Sequence, residues 1–354
     1  MSESKDPARD FNVGEWLQGT GPDAEIAICT RVRFARNVKG FRFSPRMTHE
    51  EAIELTEYLR RQISQPGLND ELQVADVSSM EDLERRVLLE RHLISRELAN
   101  SDKPRFVAIN ESESVSVMIN EEDHLRTQIF SAGHNIDRAY QQAEELDGAL
   151  MQRVPAAYLD EFGFLTACPT NTGTGLRVSV MLHLPGLVWA DEIEKAAHAA
   201  QKTNMAVRGL YGEGSRATGD FYQVSNQITL GRSEQQILGD VHDAVASLVG
   251  WERKVRTALL KGEPRERNLD RIYRSLGTLE RARILSTEEA LTCLSAVRFG
   301  IEQGVITDMT LEDVSRALLL AQPAHLQRVA GRSMTPDERA RERATLMRRV
   351  LGRS

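Results

Sequence analysis

The spacing of apolar residues changes once along this chain, and that change constrains the fold more than any other feature of the sequence. Up to Ser233, short segments that alternate apolar and polar residues, such as 26–34 and 177–184, predict β-strands between amphipathic helices. After Ser233 only helical spacing remains. The sequence therefore predicts an α+β fold: an antiparallel β-sheet flanked by helices, followed by a smaller all-helical C-terminal domain.

A turn indicates where the two parts meet. The Gly-Glu-Pro sequence at residues 262–264 interrupts the helical spacing, as segments between domains commonly do. We therefore expect an N-terminal segment at residues 1–22, a mixed domain at residues 23–261 and a helical domain at residues 265–354.

Local patterns predict the elements of the mixed domain. Thr48 and Glu51 have the spacing of a capping box, which predicts the start of a helix. The polar turn at residues 111–114 predicts a hairpin between the strands on either side. Further helices are predicted at residues 81–98, 134–153 and 191–203, and strands at 106–110, 115–120, 206–210, 221–224 and 227–230.

Composition argues against several classes of protein. No apolar stretch approaches the roughly 20 residues that span a bilayer, and the first ten residues are polar, so we expect a cytoplasmic protein without a membrane segment. A net charge of −7 argues against nonspecific nucleic-acid binding as the main activity. Cys29, Cys168 and Cys293 lie far apart, which favours reduced thiols over disulfides or a metal cluster.

Residues 120–126, Asn-Glu-Glu-Asp-His-Leu-Arg, crowd several acidic side chains into one turn. Such a run is commonly a solvated turn that caps the next helix. It also suits a site in which a carboxylate binds a cation while Arg126 reaches a nearby anion. This run alone leaves both interpretations open.

Two loops of small residues lie next to arginines at strand ends. Residues 168–177, Cys-Pro-Thr-Asn-Thr-Gly-Thr-Gly-Leu-Arg, suit either an ordinary turn with a buried structural cysteine or a Cys168 thiolate favoured by nearby donors. Residues 208–215, Arg-Gly-Leu-Tyr-Gly-Glu-Gly-Ser, suit either a flexible turn or a mobile lid with Glu213 at its tip.

The familiar nucleotide-binding motifs do not fit this sequence. It contains no G-x-x-x-x-G-K-[ST] string, and the Glu-Phe-Gly triplet at residues 161–163 has no H-R-D partner. A P-loop or ordinary protein-kinase mechanism is therefore disfavoured.

The three polar segments, together with residues 29–37, resemble the phosphagen kinases, the family of creatine and arginine kinases. The strings N-E-E-D-H-L-R and C-P-T-N-x-G-T-G-L-R are long, and they occur jointly with R-V-R and R-G-x-x-G-E. The resemblance covers residues 25–249 and implies that family's catalytic fold, which is like that of glutamine synthetase. It also implies transfer of phosphate from ATP to a guanidino group.

The resemblance also assigns roles to individual residues. It implies that His92 lies beside the nucleotide and that five arginines bind the phosphates of ATP: Arg31, Arg33, Arg126, Arg177 and Arg208. Forked guanidinium groups match phosphate oxygens, so this chemistry needs no P-loop. Mg²⁺ would be carried by the phosphates and by water, and we expect no separate protein metal site.

On the acceptor side, the resemblance pairs Glu122 with Glu213 as the carboxylates that bind the guanidinium group. Two carboxylates can align one guanidinium nitrogen with the γ-phosphate and accept the proton that it releases. Cys168 would support the same group as a thiolate, without forming a covalent intermediate.

Departures from the metabolite kinases favour a protein substrate. Those enzymes carry a helical domain of roughly 100 residues before the R-V-R strand, whereas Arg31 lies near the start of this sequence. The E-R-H-L-I-S string at residues 90–95 and the helical C-terminal extension resemble the bacterial protein-arginine kinases. That family implies a homodimer that acts on arginine-bearing proteins, with an activator protein, a stress-gene repressor and a Clp-type unfoldase or protease as partners.

The C-terminal domain of that family carries a phosphoarginine receptor with an R-D-x-x-R-A motif. Here residues 339–344 read Arg-Ala-Arg-Glu-Arg-Ala, with alanine in place of the aspartate. Arg339 and Arg343 fall on one helical face and could bind an anion, or could belong to a solvated basic helix.

Two other functions remain open on the sequence alone. A kinase of free guanidino metabolites would consume ATP with arginine as readily as with a peptide. A noncatalytic adaptor that binds phosphoarginine would turn over no ATP, although it has no need of both Glu122 and Glu213.

Overall fold

The computed structural model describes residues 13–65, 67–68, 72–209 and 217–351. No helix in these ranges combines the length and apolar character needed to cross a membrane. The strands are β1 Ala27–Arg36, β2 Gln73–Asp76, β3 Phe106–Ile109, β4 Val115–Ile119, β5 Leu125–Ala132, β6 Tyr158–Leu159, β7 Gly163–Phe164, β8 Leu176–His183, β9 Met205–Gly209 and β10 Phe221–Asn226.

The helices of the mixed region are α1 His49–Ile63, α2 Asp82–Glu90, α3 Arg96–Asn100, α4 Ile136–Met151, α5 Pro185–Trp189, α6 Ile193–Gln201 and α7 Glu234–Leu259. The helices that follow are α8 Pro264–Arg281, α9 Thr287–Glu302, α10 Leu311–Leu320, α11 Pro323–Ala330 and α12 Pro336–Leu351. Short 3₁₀ turns occur at Glu15–Leu17, Ser44–Arg46 and Thr218–Asp220. The predicted boundary falls in the turn between α7 and α8.

Eight strands form one antiparallel sheet in the order β2-β3-β4-β5-β1-β8-β10-β9. Strands β6 and β7 form a separate small hairpin. From Glu234 to Leu351 the chain is built of helices and their connections. The predicted fold class, an antiparallel sheet flanked by helices and followed by a helical region, is confirmed.

The two faces of the sheet differ because side chains alternate along each strand. On one face, apolar residues such as Val32 and Phe34 of β1 lie in a core with residues of α1, α4 and α7. On the other face, the same strand presents Cys29, Arg31 and Arg33, of which the arginines are only partly buried.

The second face is divided again, between an apolar half and a polar half. Its apolar half, which includes Cys29, Phe130 and Met181, packs against Trp16 of the N-terminal segment and against the C-terminal helices. Its polar half carries the arginines of β1. The C-terminal helices therefore share a core with the sheet, beside the candidate site.

Several local predictions are confirmed. Thr48 caps α1 in a complete capping box with Glu51, and β3 and β4 pair as the predicted antiparallel hairpin. Both predictions depend on residues that are close in sequence, so contacts with the rest of the fold do not change the outcome.

Other predictions are wrong. The helix expected at residues 81–98 is broken after α2, because His92 has a left-handed backbone with a φ of 59°. The strand expected at residues 227–230 is an irregular segment instead. The central strand β5 was not predicted, because the acidic run before it suggested the cap of a helix.

Candidate active site

The arginines of the polar half lie side by side across neighbouring strands. Arg33 of β1 is directly opposite Arg177 of β8, and Arg126 of β5 is opposite Ala35. Arg208 of β9 is opposite Gln223, whose side chain accepts a 2.9 Å hydrogen bond from Arg31. Like charges placed directly opposite each other destabilise a sheet. This arrangement therefore calls for an anion that the described residues do not supply in full.

Three of these arginines and His92 line one cavity of about 350 Å³. The lining residues are Arg31, Arg33, Leu89, Glu90, His92, Ile94, Ser95, Arg96, Met118, Arg126, Gln128 and Gln322. Arg177 and Arg208 do not line this cavity, but they lie close to each other. The pKa of Arg177 is lowered mainly by burial and next by repulsion from Arg208. The structure thus brings the five predicted arginines to one face and four predicted nucleotide residues to one cavity.

Few acidic groups neutralise these arginines. Burial, followed by repulsion from Arg31, holds the pKa of Arg33 well below its usual range. The buried Nε atoms of Arg33 and Arg177 have no hydrogen-bond partner within the described part of the chain. Guanidinium groups with unused donors and excess positive charge suit phosphate oxygens, which are anionic acceptors.

Arg126 is the exception, because it has an acidic partner. Its Nη1 donates hydrogen bonds of 2.7 and 2.8 Å to the two carboxylate oxygens of Glu121, whose side chain is fully buried. Burial alone would raise the pKa of Glu121, but Arg126 outweighs it and the pKa ends below the usual value. The acidic run is therefore not a solvated turn at this position. Sequence reasoning gave Glu121 no role, since its partner could not be read from spacing.

His92 lies at the break between α2 and α3, with its side chain in the cavity. Its ring packs edge-on to Trp16 at 5.5 Å, and its backbone oxygen accepts a 3.0 Å hydrogen bond from Gln128. Burial, followed by repulsion from Arg31, lowers the pKa of His92 to about 3. The imidazole is therefore neutral at physiological pH and adds no charge to the arginine cluster.

Glu122 and Cys168 meet at the edge of the same face. The Cys168 side chain lies close enough to the Glu122 carboxylate to lower the pKa of that carboxylate, and its sulfur lies 3.0 Å from the Thr170 hydroxyl. Burial, followed by repulsion from Asp123, raises the pKa of Glu122. A partly buried carboxylate whose charge is disfavoured attracts any cation that reaches it.

Asp123 positions the segments that carry Glu122 and Cys168 next to each other. Its Oδ1 accepts a 2.7 Å hydrogen bond from the backbone of Ala167, next to Cys168, and a 2.6 Å hydrogen bond from Asn37. Asn37 in turn accepts a 3.0 Å hydrogen bond from the backbone of His124. These buried contacts join three segments that are far apart in sequence. Neither Asp123 nor Asn37 was predicted as a positioning residue.

The backbone of the Cys168 loop depends on glycine at Gly175. Its φ is 64°, and a Cβ atom there would lie 2.6 Å from the backbone oxygen of Ala35. Only glycine tolerates both conditions. The loop is consequently packed against β1, beside the arginine face.

Comparisons with known proteins agree with this geometry. Residues 54–255 match the family described as "ATP:guanido phosphotransferase, C-terminal catalytic domain", and residues 265–354 match "Protein-arginine kinase McsB C-terminal domain". The protein-arginine kinase of Bacillus mycoides (strain KBAB4) is 39% identical over 341 residues, which cover 96% of each chain. The chain belongs to the protein-arginine kinase family. A second relative, the protein-arginine kinase of Halothermothrix orenii, is 40% identical over 340 residues, covering 96% of this chain and 97% of the relative.

Solved structures of other guanidino kinases share the fold. The duplicated taurocyamine kinase from Schistosoma mansoni, with bound transition-state analogue components, has a TM-score of 0.60 and 26% identity, covering 73% of this chain and 39% of that one. A lombricine kinase has a TM-score of 0.59 and 22% identity, covering 70% of this chain and 72% of the other. The second of these likenesses concerns the fold alone.

Glu213 lies outside the described residues, so its distance from Glu122 stays untested. In α12, Arg343 is buried and donates hydrogen bonds to the backbone oxygens of Ala321 at 2.7 Å and Leu285 at 2.8 Å. Arg339 lines a cavity of about 430 Å³. The other lining residues are Glu81 and Asp82 at the start of α2, together with Leu83, Arg86, Gln327, Ser333 and Met334.

Proposed function

We propose that this protein transfers the γ-phosphate of MgATP to arginine side chains of other proteins, as an ATP-dependent protein-arginine kinase. The observation that carries the proposal is the juxtaposition of two unlike sites on one sheet face. Arginines from four strands form a cationic surface, and the carboxylate of Glu122 lies at its edge beside Cys168. One site suits polyphosphate and the other suits guanidinium.

The arginines would bind and orient the phosphates of ATP. Phosphoryl transfer is catalysed mainly by positioning and by stabilising charge on the transferring group. Repulsion between Arg33 and Arg177, which are directly opposite each other, is relieved when a phosphate lies between them. Mg²⁺ would enter with the phosphates and would help to neutralise them.

His92 would lie beside the nucleotide as a neutral ring. Its low pKa supports this role, because an uncharged imidazole packs against a base or a ribose without adding to the repulsion among the arginines. The ring is fixed by Trp16 on one side and by the broken backbone of its own segment.

Glu122 would hold the acceptor guanidinium and accept its proton. As a guanidinium nitrogen attacks the γ-phosphorus, the N–P bond forms, the bond to the oxygen of ADP breaks, and the released proton passes to a carboxylate. The raised pKa of Glu122 supports a role as proton acceptor, since its conjugate acid is less disfavoured than that of an exposed glutamate. We assign Glu213 as the second carboxylate by family resemblance.

Cys168 would support the acceptor guanidinium as a thiolate beside Glu122, without acting as a covalent nucleophile. The position of Cys168 next to the Glu122 carboxylate supports this role. We expect Cys168→Ser to lower the transfer rate by about tenfold, the scale of one weakened hydrogen bond, because the serine hydroxyl keeps a polar contact but is not ionised. Steady-state kinetics at saturating ATP would measure the change. Complete loss of transfer in Cys168→Ser would contradict a supporting role and favour covalent catalysis.

We also assign the family's finer properties to this protein as proposals. These are a cytoplasmic homodimer, a division into domains at residues 23–261 and 265–354, and partners that comprise an activator protein, a stress-gene repressor and a Clp-type unfoldase or protease. A phosphoarginine receptor at Arg339 and Arg343 belongs to the same set. For the receptor, Arg339 is the better-supported contact, since Arg343 is buried and its Nε and Nη1 both bind backbone oxygens, whereas Arg339 lines a cavity and binds one backbone oxygen through Nη1.

The substrate class can be tested directly. We would incubate the protein with MgATP and a mixed protein substrate, keep all handling free of acid because the N–P bond is acid-labile, and locate the phosphate by mass spectrometry. Label on arginine residues of proteins is expected. Label on free arginine at an equal rate would favour the metabolite kinase, and absence of ATP turnover would favour the adaptor.

A further inference from the structure

Exposed apolar side chains are concentrated beside the candidate acceptor site. Within the described ranges, eight large hydrophobic side chains are exposed, and five of them belong to two short segments. These five are Tyr158, Leu159, Phe162, Ile228 and Leu230, with between 42% and 51% of each residue exposed. Single exposed apolar residues are ordinary, but a concentration of them commonly marks an interaction site.

The first segment is the β6–β7 hairpin, which borders one side of the Cys168 loop. The backbone N–H of Phe164 donates a 2.8 Å hydrogen bond to the oxygen of Gly173, and Gly173 N–H donates a 3.2 Å bond in return. A Cβ atom on Gly163 would lie 2.6 Å from that same oxygen. The hairpin and the loop are therefore in direct backbone contact, which fixes the exposed Phe162 next to the loop.

The second segment, residues 227–231, borders the other side of the loop. The Thr229 hydroxyl lies 2.9 Å from the backbone oxygen of Thr170 and 2.7 Å from that of Thr172. A Cβ atom on Gly173 would lie 2.9 Å from the Cα of Leu230. Ile228 and Leu230 thus flank the loop that carries Cys168, opposite the hairpin.

The loop between these segments is continuous with the acceptor site. Asp123 accepts a 2.7 Å hydrogen bond from the backbone of Ala167, and the next residues along the two segments, Cys168 and Glu122, are close enough to interact electrostatically. An arginine side chain held by Glu122 therefore has exposed apolar residues on both sides of the loop that it contacts.

We propose that Tyr158, Leu159, Phe162, Ile228 and Leu230 form an apolar rim that binds hydrophobic side chains flanking the target arginine of an extended polypeptide. The proposal rests on the proposed function and specifies its substrate. Successive residues of an extended chain are separated by about 3.3–3.6 Å, so neighbours of the target arginine reach the surroundings of the loop. A free guanidino metabolite has no such neighbours and would gain nothing from the rim.

Two peptides and three variants test the rim. Both peptides contain one arginine and end in lysines for solubility. In the first peptide one leucine and one phenylalanine flank the arginine on each side, and in the second peptide two serines take their place. The variants are Leu159→Ser, Leu230→Ser and, as a matched control, Ile284→Ser, which changes an apolar residue that is 62% exposed between α8 and α9. The readout is the ratio of kcat/KM for the two peptides, since partial misfolding lowers both values equally.

The wild-type protein is expected to prefer the apolar peptide by about 10-fold, the scale on which a few buried methylene groups alter specificity. Each rim variant should lower that ratio by about threefold or more, through KM of the peptide, and Ile284→Ser should retain it. Thermal unfolding checks that the variants are folded.

Three results would overturn the proposal. Equal phosphorylation of both peptides by the wild-type protein would exclude a role of the rim in substrate binding, while the arginine kinase activity would still be supported. Rim variants that keep the wild-type ratio, or that change the oligomeric state in gel filtration, would assign these residues to another contact, such as one between two copies of the chain. If neither peptide were labelled, that result would contradict the proposed function itself and, with it, the role of the rim.

Discussion

Arg33 and Arg256 illustrate two environments for arginine in the same molecule. Arg33 faces the cavity among Arg31, Arg126 and Arg177, and repulsion adds to burial in lowering its pKa. Arg256 lies buried between the sheet and the C-terminal helices. Burial would lower its pKa too, but attraction by Glu302 and Glu252 outweighs burial and raises it.

The number and charge of the partners separate the two roles. Arg256 binds two glutamates and the backbone oxygens of Glu25 and His183, so its donors are used within the fold. Apart from Arg126, which pairs with Glu121, the arginines on the cavity face bind neutral groups, such as Gln223 and Ser225, or have donors to spare. A saturated arginine stabilises the protein, whereas an unsaturated cluster is available for a ligand.

The largest effect is expected where the saturated network is broken. Glu302 is buried and forms ion pairs with Arg256 and with Arg298, the latter at 3.0 Å. Burial raises the pKa of Glu302 itself, but Glu302→Gln would leave two buried guanidinium groups without that negative charge. The cost of the two unpaired charges exceeds the gain from removing the carboxylate, so we expect the free energy of unfolding to fall by about 3–5 kcal/mol. Urea denaturation measures this change.

Glu312→Gln is the matched control, because Glu312 pairs with Arg316 on an exposed surface of α10. It should leave the stability nearly unchanged. If Glu302→Gln were no more destabilising than Glu312→Gln, the buried network would not hold the C-terminal helices to the sheet.

The next largest effect concerns catalysis. Glu122→Gln keeps the shape of the side chain but removes the charge and the basic oxygen, so we expect transfer to fall by about 100-fold or more while nucleotide affinity stays nearly intact. Phosphate transfer to a peptide and titration of MgADP would be measured on the same preparation. Glu161→Gln, an exposed change on the neighbouring hairpin, serves as control. Wild-type transfer by Glu122→Gln would exclude the assigned role.

A smaller effect follows from the pKa of Glu122. Burial and the neighbouring Asp123 raise this pKa in the folded protein, so the ionised carboxylate destabilises the fold at neutral pH. That destabilisation disappears as the pH falls through the folded pKa. Glu122→Gln should therefore raise the free energy of unfolding at pH 7 by less than about 1 kcal/mol, allowing for partial solvent screening.

Urea denaturation of Glu122→Gln and the wild-type protein at neutral and acidic pH would measure that difference. A gain that grows towards acidic pH would have the wrong sign and would mean that Glu122 is stabilised, not strained, in its ionised form.

Local alternation predicted most strands of the sheet, whereas the arginine cluster was predicted from the family resemblance. Arg31 and Arg33 are two residues apart, which puts them on the same side of any strand. The break at His92 could not be predicted in this way. Residues 82–98 contain no glycine or proline, and their helical spacing continues through the break. The left-handed backbone there is compatible with the packing of Trp16 and Gln128, which are distant in sequence.

The positioning residues escaped prediction for a related reason. Glu121, Glu122 and Asp123 are adjacent acids, and spacing does not reveal which one binds Arg126 and which one binds Ala167. The fold decides that Glu121 and Asp123 are buried against partners and that Glu122 is left partly exposed. Family resemblance selected Glu122, whereas elementary spacing could not.

The central claim is that the unsaturated arginines bind nucleotide, and titration of MgADP into Arg33→Met tests it most directly. Methionine retains the length of the side chain and removes the charge. We predict an affinity lower by about 10- to 100-fold, the scale of one or two charge-assisted hydrogen bonds, with an unfolding midpoint equal to or above that of the wild-type protein. An unchanged affinity, or a midpoint that falls as it should in Arg256→Met, would contradict the claim.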